Sequence, residues 1–352
     1  MITIKKIAEL AGVSIGTVDR VIHKRGRVSK ETRDKINKII KKTDYKTNIF
    51  ARHLKLSKTF YLGVLMPKPS QESHFWEITK RGIDRALKEL SVYHIKNEYF
   101  FFDRFSENSF IHTSKEILKK KLDGIIIAPV LYNLSKEFIK KIPEHIPYVF
   151  FNVDVDGSKA ISFIGQDSYQ SGVVSAKLLK SIMTGKGEIA VIRGSSDNEE
   201  HHHTERVKGF MSFFKNDNDH EIKYYSIKGK AEKKSFYNLM DIILKENKDL
   251  KGIFITSALC HFIAEYIKES KIKEKIFLIG YDLVDKNIRY LNEGLIDFLI
   301  SQRAEDQGYQ AVYALYKKLL LRETTEKKVV MPIDVIIKEN LMYYHYSKEE
   351  NL

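Results

Sequence analysis

Gly12-Val13-Ser14-Ile15-Gly16-Thr17-Val18-Asp19-Arg20-Val21 is the stretch from which the rest of this chain is read. Before it, Ile4, Ile7, Ala8 and Ala11 recur at i, i+3, i+4 and i+7, the spacing of one apolar helix face. Thr3 can cap that helix, and Gly12 ends it because glycine takes positive φ at little cost. Ser14 then caps a second helix, Ile15 to about Ile22, with Val18, Val21 and Ile22 facing inward. Ser29 caps a third, about Lys30 to Lys42, with Ile36, Ile39 and Ile40 inward. Three short helices around one small core form a helix-turn-helix, whose second helix is shaped to enter a DNA major groove.

The charge is placed to match. Residues 1–58 hold 16 Lys/Arg against 5 Asp/Glu, so this head carries +11 of the chain's net +14. The other 294 residues are close to neutral. A basic head on a near-neutral body points to a polyanion held at one end. The 352 residues allow two or three domains, and 43% hydrophobic with 30% charged residues describes a folded chain rather than a disordered one. One cysteine, Cys260, excludes a disulfide framework. No apolar run reaches 18 residues and Met1–Lys6 lacks the core of a secretory signal, so a cytoplasmic protein without a membrane segment is expected.

Ile4-Lys5-Lys6-Ile7-Ala8-Glu9-Leu10-Ala11-Gly12-Val13-Ser14, Thr17-Val18-x-Arg20-Val21, Arg27-Val28-Ser29-x-Glu31-Thr32-Arg33 and Tyr45-Lys46-x-Asn48-x-x-Ala51-Arg52-x-Leu54 follow one another through the whole head. In this order they resemble the head of the LacI/GalR (lactose-repressor-type) regulators. The resemblance implies a DNA-binding set of Thr3, Ser14, Ile15, Gly16, Thr17, Asp19, Arg20, His23 and Ser29. Ser14 and Thr17 are short hydroxyls at a helix start, suited to phosphate oxygens. Arg20 can fork onto a guanine edge, or remain a surface ion pair with Asp19 or Glu9. Ile15 can touch a thymine methyl, and Gly16 lets the backbone approach. Asp19 departs from the family's common serine and can accept from a cytosine amino group or hold Arg20. Residues 47–55 are too few for a stable isolated helix. The resemblance makes them a hinge helix ordered on DNA by pairing with a second copy, with Asn48 and Ala51 at the duplex and Leu54 wedged into the minor groove.

From Phe60 onward, apolar β-rich runs alternate with helical patterns. The strands read Tyr61–Met66, Glu98–Phe102, Gly124–Ala128, Tyr148–Phe151, Glu188–Ile192, Ile222–Ser226, Gly252–Thr256, Ile276–Gly280 and Asp297–Ile300. Continuous apolar strands alternating with helices indicate parallel sheets covered on both faces, and there are too many units for one sheet. The expected fold is α/β: a three-helix head (1–46), a hinge and linker (47–58), then two doubly wound Rossmann-like lobes (59–352). Leu122-Asp123-Gly124-Ile125-Ile126-Ile127, Ile146-Pro147-x-Val149, Gly280-Tyr281-Asp282 and Ser301-Gln302 make the body similar to the type I periplasmic-binding-protein-like sensor of the same regulators. That likeness implies three crossings between lobes, expected near 164, 298 and 328. Lobe one is then 59–164 with 299–328, and lobe two 165–298 with 329–345.

The resemblance also implies an inter-lobe cleft for a sugar or sugar derivative. Candidate ligand residues are His74, Phe75, Trp76, Asn133 and Asn152 from lobe one, and Arg206, Ser257, Asp282 and Gln302 from the remainder. Phe75 and Trp76 offer flat faces to a sugar ring, or else pack as ordinary core. Arg206 forks onto hydroxyls or a carboxylate. Asp282 fits vicinal hydroxyls. Ser257-Ala258 stands where the family usually has Asn-Asp, so one hydroxyl-binding amide is missing. Glu199-Glu200-His201-His202-His203 lacks the i, i+4 spacing of helical metal pairs and reads as a polar rim of the cleft. No cofactor, no metal and no nucleophile-and-base set is expected. The function implied is a ligand-responsive transcription regulator, acting as a homodimer on double-stranded pseudo-palindromic operator DNA. The rival classes are a sugar-binding transport receptor and a carbohydrate-active enzyme.

Overall fold

The structure is a computed structural model that describes residues 4–22, 26–43, 58–71, 74–194, 201–227 and 232–345. The chain divides into two compact units, residues 1–58 and 59–352.

The head has three helices, α1 (Ile4–Ala11), α2 (Ile15–Ile22) and α3 (Lys30–Lys42). Ile7, Ala8, Ala11, Val18, Val21 and Ile36 are buried together. Gly12 at φ +68° lets the Val13 N–H return to the Ala8 carbonyl at 3.0 Å, so the turn closes on its own backbone. Ser14 Oγ accepts from the Thr17 N–H at 3.1 Å, and Ser29 Oγ from the Thr32 N–H at 3.3 Å. Each cap satisfies one N–H that the first helical turn leaves unpaired. Thr3, His23 and the 47–55 stretch with Asn48, Ala51 and Leu54 lie outside the described residues.

The body holds two six-stranded sheets. Lobe one contains β1 (Phe60–Pro67), α4 (Phe75–Glu89), β2 (Ile95–Phe102), α5 (Glu107–Leu118), β3 (Gly124–Ile127), α6 (Tyr132–Ile139), β4 (Tyr148–Phe151) and β5 (Ser162–Gln166). Lobe two contains α7 (Ser168–Ile182), β6 (Gly187–Arg193), α8 (His201–Phe213), β7 (His220–Ser226), α9 (Lys233–Glu246), β8 (Leu250–Ile255), α10 (Cys260–Glu269), β9 (Phe277–Tyr281), α11 (Asp285–Asn292) and β10 (Phe298–Ser301). Helix α12 (Ala304–Tyr316) then packs on α4 of lobe one, β11 (Lys328–Met331) joins sheet one, and β12 (Asp334–Ile336) and α13 (Met342–His345) close the described chain.

The sheet orders are β2-β1-β3-β4-β5-β11 and β7-β6-β8-β9-β10-β12, parallel except for the β10–β12 pair. Each order reverses between its first strand and its third, β1/β3 and β6/β8, and ligands in such folds sit beyond the strand C-termini at that reversal. Three strands carry too little pattern to stand out in the sequence. Ser162–Gln166 mixes polar ends with a glycine, and Lys328–Met331 and Asp334–Ile336 are only four and three residues long.

Two crossings come later than their expected places. The strand Phe298–Ser301 stays in sheet two, so the chain leaves after Ser301 rather than near 298. The strand Lys328–Met331 belongs to sheet one, so the last crossing falls at Pro332 rather than near 328. A strand completes its ladder before the chain can leave the sheet, because buried N–H and C=O groups need partners. Gln166 binds the crossings together: its Nε2 donates to the Ser301 carbonyl (3.0 Å) and to the Pro332 carbonyl (2.8 Å).

Candidate functional site

On the head, the outward surface of α2 is formed by Ser14, Ile15, Gly16, Asp19 and Arg20, all exposed, with Thr17 half-buried. Ile15 leaves 48% of its surface exposed although it is strongly apolar, which suits a contact made only with a partner. The Ser14 and Thr17 hydroxyls stand 2.9 Å apart at the helix start. Arg20 lays its aliphatic stem near Gly26. Glu9, one of its two possible ion-pair partners, is engaged by Lys6 at 2.9 Å. Ser29 is exposed and serves as the α3 cap.

In the body, the two lobes present equivalent backbone features. Asn152 follows β4 with φ +68° and donates its N–H to the Ile164 carbonyl (3.0 Å). Asp282 follows β9 with φ +67° and donates its N–H to the Ile300 carbonyl (2.9 Å). Both occupy the left-handed region that Asn and Asp tolerate best among side chains, and such positions gather at functional sites. Here the left-handed turn stops each strand and turns a short polar side chain out of the ladder.

Lobe two builds a buried polar chain. Gln302 Nε2 donates to Asp282 Oδ2 at 2.7 Å, and Gln302 Oε1 accepts from an Arg206 terminal nitrogen. The other Arg206 terminal nitrogen donates to the Thr256 carbonyl at 2.6 Å, and the guanidinium stacks 3.8 Å above the Tyr281 ring. Arg206, Gln302 and Asp282 are 1%, 5% and 5% exposed, so this is a preorganised, water-excluded set. Asn287 holds the turn by donating to the Tyr281 carbonyl (2.9 Å) and the Asp282 carbonyl (3.1 Å). Three of the sequence-expected residues therefore meet in one network. Ser257 is buried beside them, its hydroxyl accepting from the Leu259 N–H at 3.4 Å.

The lobe-one candidates separate. Phe75 and Trp76 are buried in the lobe-one core; Trp76 lies edge-on to Phe75 at 5.0 Å and to Phe151 at 6.3 Å. The structure thus shows their packing role, with Trp76 turned toward Phe151 of the sheet. His74 is exposed and bonded to Glu77 at 2.9 Å. Asn133 is exposed at the start of α6. Asn152, with Gln166 and His202, lines a cavity of about 270 Å³ between the lobes. Two of its rim carboxylates are engaged by neighbours, Asp167 by the Gln170 N–H and Glu205 by Lys208. A second cavity of about 350 Å³ includes Asp282, Arg81, Arg85 and Arg303 in its walls. Arg85 is paired with Glu305 there and Arg303 with Asp334.

Two of the three histidines sit deeper than a rim. His201 is exposed and its ring contacts Tyr132 of lobe one at 5.4 Å. His202 and His203 are buried, their rings 4.1 Å apart, although neighbours on a helix diverge in direction. Burial, and then nearby positive charge, holds both imidazoles well below their ordinary range. His202 feels Arg206, Arg104 and Arg193; His203 feels His202 and the same three arginines. Burial also pushes His261 down to about 4. Neither Arg104, which follows β2, nor Arg193, which ends β6, was singled out by the sequence. Both are buried at the C-terminal ends of strands, a position from which the sequence could have picked them out.

These imidazoles make a stability prediction. A group whose folded value lies below 6.5 leaves the unfolded chain binding more protons as pH falls. Stability is therefore complete above pH about 6.5 and declines below it, at up to about 1.4 kcal/mol per pH unit for each such histidine. Urea unfolding between pH 7.5 and pH 5 measures this, and a midpoint flat down to pH 5 would contradict neutral burial of the three rings.

With this geometry in place, two family models account for the chain. The description "Bacterial regulatory proteins, lacI family" matches residues 3–48, and "Periplasmic binding protein domain" matches residues 62–323. The chain belongs to the lacI family of bacterial regulatory proteins. The ribose operon repressor of Lactococcus lactis is 27% identical over 97% of this chain and 98% of its own length. A transcriptional repressor named PurR from Histophilus somni is 26% identical over 97% of this chain and 99% of its own. A crystal structure of a LacI-type transcriptional regulator from Bacteroides fragilis superimposes with a TM-score of 0.75 at 28% identity. It covers 82% of this chain and all of that one. This lacI-family chain is thus a DNA-binding transcriptional regulator rather than an enzyme, with a sensor-type body. No helix among its described residues is long and apolar enough to cross a membrane.

Proposed function

We propose that this regulator is a cytoplasmic repressor of carbohydrate-uptake or catabolism genes, binding a pseudo-palindromic operator as a homodimer and released or recruited by a sugar-like effector in the inter-lobe cleft. The observation that carries the sensing half is the buried Arg206–Gln302–Asp282 chain at the strand C-termini, where this topology binds ligands. The name of the Lactococcus relative, a ribose operon repressor, supports a carbohydrate-linked effector. The effector contacts proposed are Asp282, Gln302, Arg206, Asn152 and Ser257. On the head, Ser14, Thr17, Ser29, Thr3 and His23 are assigned to phosphates and Ile15, Gly16, Asp19 and Arg20 to the major groove. Asn48, Ala51 and Leu54 are assigned to the minor-groove hinge. The effector closes the lobes about the Gln166 crossing, and closure changes the affinity for operator DNA.

The head is tested through its one long cationic reader. Arg20→Ala lowers operator affinity by roughly 10- to 100-fold while non-specific binding falls much less. The measurement is a fluorescence-anisotropy titration on a selected operator and on random duplex at one salt concentration. Equal losses on both would assign Arg20 to phosphate contact alone.

A further inference from the structure

We propose that the base of lobe one, formed by the loops that lead into its strands, is a second DNA-contacting surface, one that grips phosphates of the same duplex the head binds. DNA binding by the head follows from the family; the base of lobe one extends it to the body.

The loops are 90–94, 119–123, 140–147, 157–161 and 317–327, which run into β2, β3, β4, β5 and β11. All five strands run parallel with β1, so these loops share one end of the sheet. The chain enters β1 at that same end, at Phe60. The side chains meet there. Lys140, His145, Lys159 and Lys318 wall one cavity. Thr325 Oγ1 donates to the Ile161 carbonyl at 2.8 Å, and Lys327 Nζ to the Ala160 carbonyl at 3.1 Å. Asp123 accepts from the Tyr61 N–H at 3.0 Å.

These loops hold ten Lys/Arg and four Asp/Glu, a net +6 in a body whose whole net charge is +3. The remainder of the body is therefore net negative. Asp154 and Asp156 belong to the opposite end of the sheet, where they line a cavity with Gln166 and Asp167. Glu98, Glu116 and Glu137 reach in from neighbouring elements to pair with Lys120, Lys119 and Lys140. Counting these three acids leaves the excess at +3, even without Lys115 and Lys136 of the same helical turns. Such exposed pairs are weak and give way to phosphate at little cost. Lys121, Lys141 and Lys318 are exposed and make no ion pair among the described residues.

Cations that follow a helix also complement its C-terminal dipole, but each helix end offers only about half a negative charge. Lobe two gives the comparison within the same chain. Its loops 183–186, 214–219, 247–249, 270–276 and 293–297 lead from five helices into β6 to β10. They hold six Lys/Arg and six Asp/Glu, a net charge of zero. Helix ends in this fold thus need no cationic excess, and the excess on lobe one answers to a partner. A polyanion fits it, and the head that binds one is joined to the body at this face. Apart from the head, the face binds duplex weakly, because the body as a whole is near neutral. Joined to it, the face acts at the high effective concentration that a tether provides.

The test uses the full-length protein with a duplex it selects from random sequence and a random duplex of equal length. Fluorescence anisotropy follows both from about 50 to about 200 mM salt. The combined variant Lys121→Gln, Lys141→Gln and Lys318→Gln is expected to lower the slope of log affinity against log salt by about 2 or more. Affinity falls by about 10-fold at the low-salt end, on both duplexes alike, because phosphate contacts carry no sequence information. The combined variant Lys248→Gln, Lys271→Gln and Lys273→Gln removes the same charge from the lobe-two loops and leaves the slope unchanged. Melting temperatures matching the parent protein show that both variants fold.

A slope unchanged in the lobe-one variant would overturn the proposal. An equal fall in the lobe-two variant would do the same, by assigning the effect to overall charge. A loss confined to the selected duplex would make these lysines readers of sequence and overturn their assignment to phosphates. A parent protein that binds neither duplex removes the head's role as well, whereas a parent that binds and a lobe-one variant that matches it remove only the body's face.

Discussion

Removing residues 1–58 abolishes sequence-specific DNA binding while the remaining body folds and keeps its response to effector. The reason is the separation of both charge and packing. The head carries +11 of the chain's +14 and has its own buried core of Ile7, Val18 and Ile36. The body begins a separate compact unit at Thr59, and among the described residues its sheets and cores are built from the body alone. Phosphate neutralisation supplies much of protein–DNA affinity, and a near-neutral body has little to supply. The expected loss on operator is about 1,000-fold or more, which reaches the level of non-specific binding. Mobility-shift titrations of the full chain and of residues 59–352, with circular dichroism to show that the truncated body is folded, make the measurement. Operator binding retained by the truncated body would place DNA recognition in the wrong unit.

The second large effect concerns helix contact under the sensor site. Helices α7 and α8 approach through reciprocal glycines: a Cβ on Gly172 would stand 2.1 Å from the Arg206 carbonyl oxygen, and one on Gly209 would stand 1.9 Å from the Tyr169 carbonyl oxygen. Those obstacles are backbone atoms, which cannot turn aside as a side chain does. Gly172→Val and Gly209→Val each force the helices apart, at a cost of about 3 kcal/mol or roughly 5–10 °C in melting temperature. The displaced helix is the one that carries His202 and Arg206, so the Arg206–Gln302 bond is broken and effector binding is lost beyond what the stability change explains. Thermal melts with and without effector separate the two losses. A variant with wild-type melting temperature would mean that the helices do not pack this closely. Lobe one repeats the device: Gly82 on α4 would bring a Cβ to 1.8 Å from the Glu305 carbonyl oxygen on α12.

The sensor region also shows how buried polar residues divide between recognition and support. Asp282, Gln302 and Arg206 are linked directly, and Asn287 fixes the turn that presents Asp282. Cys260, which the sequence reads as core, is fully buried at the start of α10, and burial pushes its thiol well up. It is therefore no nucleophile.

What the sequence determined by itself was everything carried by neighbours along the chain. The three head helices have the bounds expected from their apolar spacing and their Ser14 and Ser29 caps, because a helix closes its bonds within four residues. The long apolar runs were legible as strands of two covered sheets for the same reason: a strand buried on both faces has to be apolar throughout. Arg206, Asp282 and Gln302 were legible through family motifs. Only the tertiary structure decided which polar groups meet. Gln166 reaches carbonyls 135 and 166 residues away, Arg206 meets Gln302 across 96 residues, and Trp76 packs in the lobe-one core. No local period encodes such contacts, because they depend on where whole elements come to rest. The positive φ of Asn152 and Asp282 is likewise imposed by the strand each one ends. The sequence named a regulator with a sensor; the folded body decided which of its buried polar residues meet.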